Sequence, residues 1–597
     1  MQRIEDYAMI GDCKTAALIS NEGCIDWLCL PAFDSAACFA ALLGTKENGF
    51  WSIRPREDII KTSRSYKENT LILDTIYETQ HGKMRITDFM PPASDYVDIV
   101  RIVEGLEGDV PVEMEMCPRF EYGELIPLFK KENEQEVNII RGPDQLTVRA
   151  TSILRVEKYK LLSSFQISKG ERVSFHMCWS SSHDKKGPEL VPQKALEETH
   201  HFWEEWLESC HLDDNSKHPD IIKRAILTLK AMTYSPAGSI VAAVTTSLPE
   251  VIGEERNWDY RYCWPRDAAL AMRAVLNSTG QRGEMEAWRH WLVRATAGLP
   301  SQMEVLYKLD GTRPSMEITL PWLKGYEEST PVRVGNLAHD QLQLDIYGSV
   351  IEVFYMAQCM GLPPLKEAWD LARGMLEYLE KKWQEPDEGI WEVRGPKRNF
   401  VHSKLMVWAA FNWCIEANER FGIEGPVDHW KKIRSEIHDD ICKNGFNKEL
   451  NSFTQFYESE DVDANLLRIP LLGFLPPNDP RVVGTIKKIE ADLLLEEGLI
   501  MRYLPREEVE GIPPNGKRAF LLCSGWLGEV YALQGRIEDA KKVYEKLMSL
   551  VNDVGLLAEQ YDPVSKRQLG NFPQAFSHIA LIRLELALSQ EGRIKED

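Results

Sequence analysis

The chain contains no Cys-x-x-Cys pair, no His-Glu-x-x-His, no Gly-x-Ser-x-Gly and no apolar run approaching ~18 residues. Each absence closes a class: zinc ribbons and dithiol redox sites, zincins, serine hydrolases of the nucleophile-elbow type, and membrane-spanning helices. Positive charge is scarce, with 70 Lys and Arg against 92 Asp and Glu and a net charge of −22. That balance disfavours nucleic acid and anionic membrane as partners, since both require clustered cations. The opening Met1-Gln2-Arg3-Ile4-Glu5-Asp6-Tyr7 lacks the basic and apolar regions of a signal peptide, so a cytoplasmic location is expected. The twelve cysteines are scattered among apolar neighbours, as at Cys178, Cys359 and Cys414, which predicts reduced, buried thiols. Gly511 to Lys517 imitates the start of a phosphate-binding loop, but Arg518 stands where a Ser or Thr is needed and Glu507–Glu510 is no buried strand. The His200-His201 pair, in a Trp-rich helical stretch, has no metal-ligand spacing, and neither metal nor cofactor is expected.

What is present divides in two. At 597 residues with 44% hydrophobic content the chain is long enough for two domains. Up to about residue 215, short β-rich runs prevail. Val173, Phe175, Met177 and Trp179 alternate with polar residues, as do Val112, Met114 and Met116. Leu71–Tyr77 and Met84–Met90 add further strands separated by Gly, Asp and Asn. This spacing predicts an antiparallel β-sandwich over residues 1–215, linker included. From 216 to 597 helical periodicity takes over, with twelve expected helices: Asp220–Thr233, Asp267–Ser278, Gly283–Thr296, His339–Gln358, Pro364–Trp383, Ser403–Phe421, Val427–Cys442, Asp463–Leu472, Pro480–Leu494, Ser524–Gly535, Arg536–Val551 and Gln574–Ser589.

The links between these helices alternate in length. Even-to-odd links are roughly 0–7 residues, while odd-to-even links are roughly 19–42, far above ordinary connections. Six antiparallel pairs closing on themselves would place every long link at one end. The expected architecture is therefore an (α/α)6 barrel with one elaborated face, in a multidomain β + α chain. A solenoid would show a sequence repeat, and none is found.

The long links carry unusual residues. One holds Trp258, Asp259, Tyr260, Arg261, Tyr262, Trp264, Arg266 and Asp267. Arg and Asp can bond adjacent hydroxyls while Trp and Tyr offer flat apolar faces, a combination suited to a neutral sugar. The alternative is a structural Asp/Arg ion pair with Asp267 capping a helix. The next long link contributes Trp322 and Arg333. Another contains Pro386-Asp387-Glu388-Gly389-Ile390-Trp391-Glu392-Val393, where turn residues surround a carboxylate set between apolar neighbours. Lost hydration raises an acid's pKa and suits it to donate a proton. The plainer reading is a surface Glu beside a packed Trp. The last long link carries Glu559 after Leu556-Leu557-Ala558. Two such carboxylates on one barrel mouth point to glycoside hydrolysis, one as acid and one as base.

At this point the chain resembles glycoside hydrolase family 15, the glucoamylase and trehalase group, over nearly its whole length. Ile4–Asp12 and Gly23–Leu28 resemble the start of its bacterial and archaeal members, and Asn257–Asp267 matches its Trp-x-x-Arg-Tyr-x-Trp-x-Arg-Asp block. Gly389–Glu392 resembles the block of the general acid and Ala558–Gln560 that of the general base. The resemblance implies inversion at the anomeric carbon, with Glu392 as acid and Glu559 as base. It assigns substrate binding to Arg266 and Asp267 on the hydroxyls of the terminal glucose, with Trp264 and Trp391 as walls, and Arg333 as a further contact. Trp258, Tyr262 and Trp322 are candidate binding residues from the same links. Segment Tyr7–Trp27 is expected at the barrel mouth. Glu328 stands where the family pattern has Gly, and Glu327 and Glu328 are rival acids. The expected function is a glucoamylase-type exo-α-glucosidase acting on a neutral oligosaccharide or disaccharide. Trehalase on the same scaffold is the alternative, and a non-catalytic sugar-binding protein the more distant one. The sequence leaves a homo-oligomer open.

Overall fold

The computed structural model describes residues 2–594 except 93, 211–215, 217, 315 and 512–515. The expected division at 215/216 and most of the phosphate-loop imitation lie outside the described residues.

Among the described residues, fifteen strands between Tyr7 and Ser181 form the N-terminal part, all antiparallel in their named pairings apart from one isolated parallel bridge. They are organised by one long strand, Val97–Cys117. Its first part pairs with Gly82–Phe89 and Arg172–Ser181, and its second with Phe50–Pro55 and Lys160–Ser168. The strand therefore passes from one sheet into the other. The transition occurs around Gly108 (φ +63°), where a side chain would collide with the His81 carbonyl. Buried Arg101 clamps the two sheets: it donates to Asp88 at 2.8 Å, to the Trp51 carbonyl at 2.8 Å and to the Gly23 carbonyl at 2.9 Å. Its charge and its donors are matched by buried acceptors, which is what makes a buried guanidinium tolerable.

Helix α1 (Pro192–Glu208) follows the strands, and its Ala195 packs on Ile72, Phe89 and Val100. His200 and His201 face Glu204 and Glu205 one turn on, as ordinary helix-surface pairs. The barrel then comprises α2 (Pro219–Ala231), α3 (Pro265–Thr279), α4 (Arg282–Ala295), α5 (Asp345–Cys359), α6 (Lys366–Lys382), α7 (Val401–Phe421), α8 (Val427–Asn444), α9 (Arg468–Leu471), α10 (Pro480–Leu493), α11 (Leu521–Leu533), α12 (Ile537–Met548) and α13 (Ala575–Ile594). The odd helices from α3 to α13 form the inner ring. Each touches the next, through the 3₁₀ turn Ala464–Leu467 at α9, and α13 returns to α3. The even helices pack outside them.

Composition explains the division. An inner helix is covered on both sides, so α5 is buried continuously from Asp345 to Ala357 and α11 from Leu521 to Ala532. An outer helix needs one apolar stripe, and α6 buries Ala368, Trp369, Ala372, Met375, Leu376 and Leu379. All twelve expected helices occur. Two starts differ: His339 lies in a separate 3₁₀ turn, Leu337–Asp340, before α5, and Asp463–Leu472 divides into the 3₁₀ turn Ala464–Leu467 and the short α9. Cys359, expected buried, is exposed at the end of α5, and no disulfide joins any of the cysteines. Among the described residues no helix is long and apolar enough to cross a membrane.

Candidate active site

The long links converge at one end of the barrel around a cavity of about 960 Å³, open solvent at its mouth included. Five of the six outer-to-inner links line it, and the sixth supplies Asp463 just behind Trp391.

The first of these links runs extended into α3, and its side chains alternate. Arg256, Trp258, Tyr260 and Trp264 face the cavity, whereas Asp259, Arg261 and Cys263 face away. The Asp259–Arg261 pair is fully buried at 2.7 Å, and Arg261 also donates to Tyr122 and to the Ser35 carbonyl of the β-rich half. The block thus carries a structural Asp/Arg pair on its outward face and leaves Arg256, Trp258, Tyr260 and Trp264 on the cavity, while Asp267 lies inside α3 rather than capping it. Tyr262 breaks the alternation: it packs with Ala242, Val305 and Leu306 and lies outside the lining. Arg266 and Asp267 occupy the first turn of α3 and line the cavity. Asp267 accepts from Arg266 Nε at 3.0 Å, and burial pushes its pKa up to about 7 against the pull of Arg266.

Glu392 sits on the link between α6 and α7 at φ +57°, a backbone region that non-glycine residues seldom occupy. Its Oε1 accepts from Trp264 Nε1 at 2.8 Å and Arg266 Nη2 at 3.2 Å, and the side chain is 21% exposed. The apolar isolation expected there is replaced by a guanidinium and an indole N–H. Trp391 also lines the cavity, its indole N–H fixed on buried Asp463 at 2.9 Å.

The dry carboxylate is Glu559, only 3% exposed. Tyr260 donates to it at 2.9 Å, and Gly570 closes in so tightly that a Cβ there would stand 2.8 Å from Glu559 Oε2. Burial and then the charge of Glu250 push its pKa up to about 8, opposed by Arg502, Tyr260 and Gln560. The rings that hold the two carboxylates, Tyr260 and Trp264, pack edge to face at 5.8 Å.

Three expected binding residues stand elsewhere. Trp322 is on the outer surface, donating to the Tyr122 carbonyl at 3.1 Å. Arg333 lies over the Trp258 ring at 4.6 Å and bonds the Glu255 and Asn257 carbonyls, so it holds the wall from behind. Tyr262 is placed above. Glu327 and Glu328 are outside the lining, Glu327 held by Arg567 at 2.7 Å. Nor does Tyr7–Trp27 reach the cavity. It packs on the links one layer back, through Trp27 Nε1 on the Val244 carbonyl at 2.8 Å and Asn552 on the Tyr7 carbonyl at 2.8 Å. Cavity residues to which sequence reading assigned no role include Glu250, Arg502, Gln341 and Glu510, whose carboxylate pairs with Arg256 at 2.5 Å, whereas Arg256 and Asn336 belong to the long links already singled out. Among the described residues, the two clusters with metal-ligand proximity, Asp98/His176/Cys178 and Glu304/His339/Asp340, do not line the cavity.

A closed barrel of paired helices, with carboxylates, tryptophans and an Arg/Asp pair around one deep pocket, is the arrangement of a carbohydrate-cleaving enzyme. The sequence model of the glycosyl hydrolases family 15 matches residues 216–586, and that of a trehalase-like N-terminal domain matches residues 1–157. The chain belongs to glycosyl hydrolase family 15 and is a glycosidase. It is 34% identical to a trehalase of Thermoplasma acidophilum over 588 residues, covering 96% of this chain and 98% of that one. It is also 34% identical to a trehalase of Mycobacterium tuberculosis over 610 residues, covering 97% and 88%. A bacterial glucoamylase complexed with acarbose shares the fold, with a TM-score of 0.71 at 12% identity, over 99% of this chain and 94% of that one.

Proposed function

We propose that the protein is an inverting α-glucosidase that hydrolyses α,α-trehalose, with Glu392 as general acid and Glu559 as general base. The observation that carries the reading is the placement of two carboxylates from distant links on one cavity, each hydrogen-bonded by one ring of the Tyr260–Trp264 pair. Of the two activities expected from the sequence, the full-length relatives named trehalases favour the second over the glucoamylase type. The pocket, lined by tryptophans as well as by arginines and carboxylates, suits a compact neutral disaccharide.

In this reading one glucosyl ring sits between Trp264 and Trp391, its hydroxyls met by Arg266 and Asp267. Glu392 gives its proton to the bridging oxygen as the C1–O bond breaks. Glu559 takes a proton from water as the water oxygen bonds C1 from the opposite face. Inversion makes the attacked ring β-glucose, while the leaving ring keeps its own C1–O bond and departs as α-glucose. Tyr260, whose pKa is driven up by burial and then by Glu559, stays a phenol and so remains a donor to that carboxylate.

Anomer-resolved NMR on trehalose, maltose, maltotriose and isomaltose tests both halves. Equimolar α- and β-glucose should appear first from trehalose, at a kcat/KM above that of the other sugars. First-formed glucose that is all α would sink the inverting mechanism, and a preference for maltotriose would return the glucoamylase-type reading.

A further inference from the structure

Glu250 is a further carboxylate on the cavity, and nothing in the acid–base pair requires it. It is 2% exposed on the link into α3. Its two oxygens are held by fixed donors: Arg502 Nη2 at 2.6 Å, Arg502 Nη1 at 3.4 Å and Trp258 Nε1 at 3.2 Å. Arg502 comes from the link into α11, is itself on the cavity wall, and lies over the rings of Tyr503 and Phe520 at 5.0 and 5.5 Å. Two remote links thus meet in a two-pronged guanidinium–carboxylate pair on the cavity that Glu559 also lines.

Resting on the reading of Glu559 as base, we propose that Glu250 is a positioning residue: it anchors Arg502 so that the pair sets the pH at which Glu559 becomes able to accept a proton. The physical need is specific. Burial makes Glu559 hold its proton, and the charge of Glu250 adds to that preference. Arg502 without a counter-charge would pull Glu559 the other way, into a tight ion pair and a weak base. With Glu250 in the fork the two fields oppose each other, and both act strongly because the site is dry. The groups facing Glu559 fit this balance. Glu250 disfavours its charge, Arg502 favours it, and Tyr260 and Gln560 donate to it. The Cys523 thiol of α11 lies in the same field, and Glu392 lies beyond Tyr260 and Trp264.

The test is the pH profile of kcat/KM on trehalose for the full chain, with thermal unfolding to confirm that each variant folds. Glu250→Gln should move the acidic limb to lower pH and Arg502→Met should move it to higher pH, each by ~1 pH unit. Glu250→Asp, which keeps the charge, should bring the limb back towards the wild-type position. A merely structural role cannot produce shifts of opposite sign. The proposal is overturned if both variants move the limb the same way, or if Glu250→Gln raises KM with the limb in place, which would make Glu250 a substrate contact. The reading beneath it fails separately: Glu559→Gln with wild-type turnover and limb removes the base itself, whereas an inactive Glu559→Gln beside an unmoved Glu250→Gln limb refutes only the role of Glu250.

Discussion

The two sides of the cavity solve opposite problems with the same residue type. Glu392 is partly exposed on a strained turn, bonded to an arginine and an indole N–H. Glu559 is buried behind an apolar triplet and a glycine, next to another carboxylate. One side is wet and cationic, the other dry and balanced between charges. Sequence context alone suggested a dry setting for both. The difference teaches that an apolar flanking residue in the chain does not desolvate a carboxylate: Trp391 and Val393 turn their faces to Tyr503, Phe520, Phe400 and Val509, leaving Glu392 to the cavity.

Removing either carboxylate breaks the comparison outright. Glu392→Gln and Glu559→Gln should each lower kcat on trehalose by ~10²–10⁴-fold, the usual worth of a general acid or base, with binding measured by calorimetry little changed. A variant that keeps near-wild-type turnover would falsify the role given to its residue.

A milder change addresses the dry side alone. Tyr260→Phe deletes a hydrogen bond that favours the Glu559 carboxylate, so its proton affinity rises and the acidic limb moves to higher pH. The expected loss of kcat near neutrality is ~10-fold, one hydrogen bond to a charged group. No movement of the limb would detach Tyr260 from the base. On the wall, Arg333→Met should loosen Trp258 and raise KM ~3–10-fold at nearly constant kcat, as lost uniform binding does. A fall in kcat with KM unchanged would argue for a direct role of Arg333.

Stability provides the next contrast. Glu559, Asp267 and Asp463 have folded pKa values raised to about 8, 7 and 7, chiefly by burial. For an acid raised on folding, the native state binds the extra proton between the unfolded and folded values. Its contribution to stability is therefore unchanged below about pH 4, declines from there to about pH 7–8 and then levels off. Asp463→Asn should accordingly raise Tm more at pH 8 than at pH 5, and an equal effect at both pH values would contradict the burial argument. The smallest effect belongs to the rival acid. Glu327→Gln, whose carboxylate is engaged by Arg567 away from the cavity, should leave kcat within ~2-fold, since it touches no reacting group.

Helix identity was legible because period and burial are local properties. The twelve amphipathic or wholly apolar segments required no knowledge of their neighbours, and the parity of link lengths then placed the site at one end. The Arg256–Asp267 block was legible as chemistry but not as geometry. Its alternation assigns Trp258, Tyr260 and Trp264 to the cavity, yet Tyr262 obeys the same parity and is diverted by packing against Val305 and Leu306. Trp322 and Arg333 looked equivalent to the cavity tryptophans and arginine, and only the path of the second long link separated them.

The sequence by itself determined the β-rich and helical parts of the chain and pointed to the long links and the two carboxylates proposed as acid and base, because each rests on pattern within a segment. What only the tertiary structure decided is which carboxylate is dry, which aromatic holds which acid, and that Glu250 meets Arg502 across 252 residues of chain. Those are properties of the space between links, and electrostatic environment is set by whatever folds into that space from elsewhere in the chain.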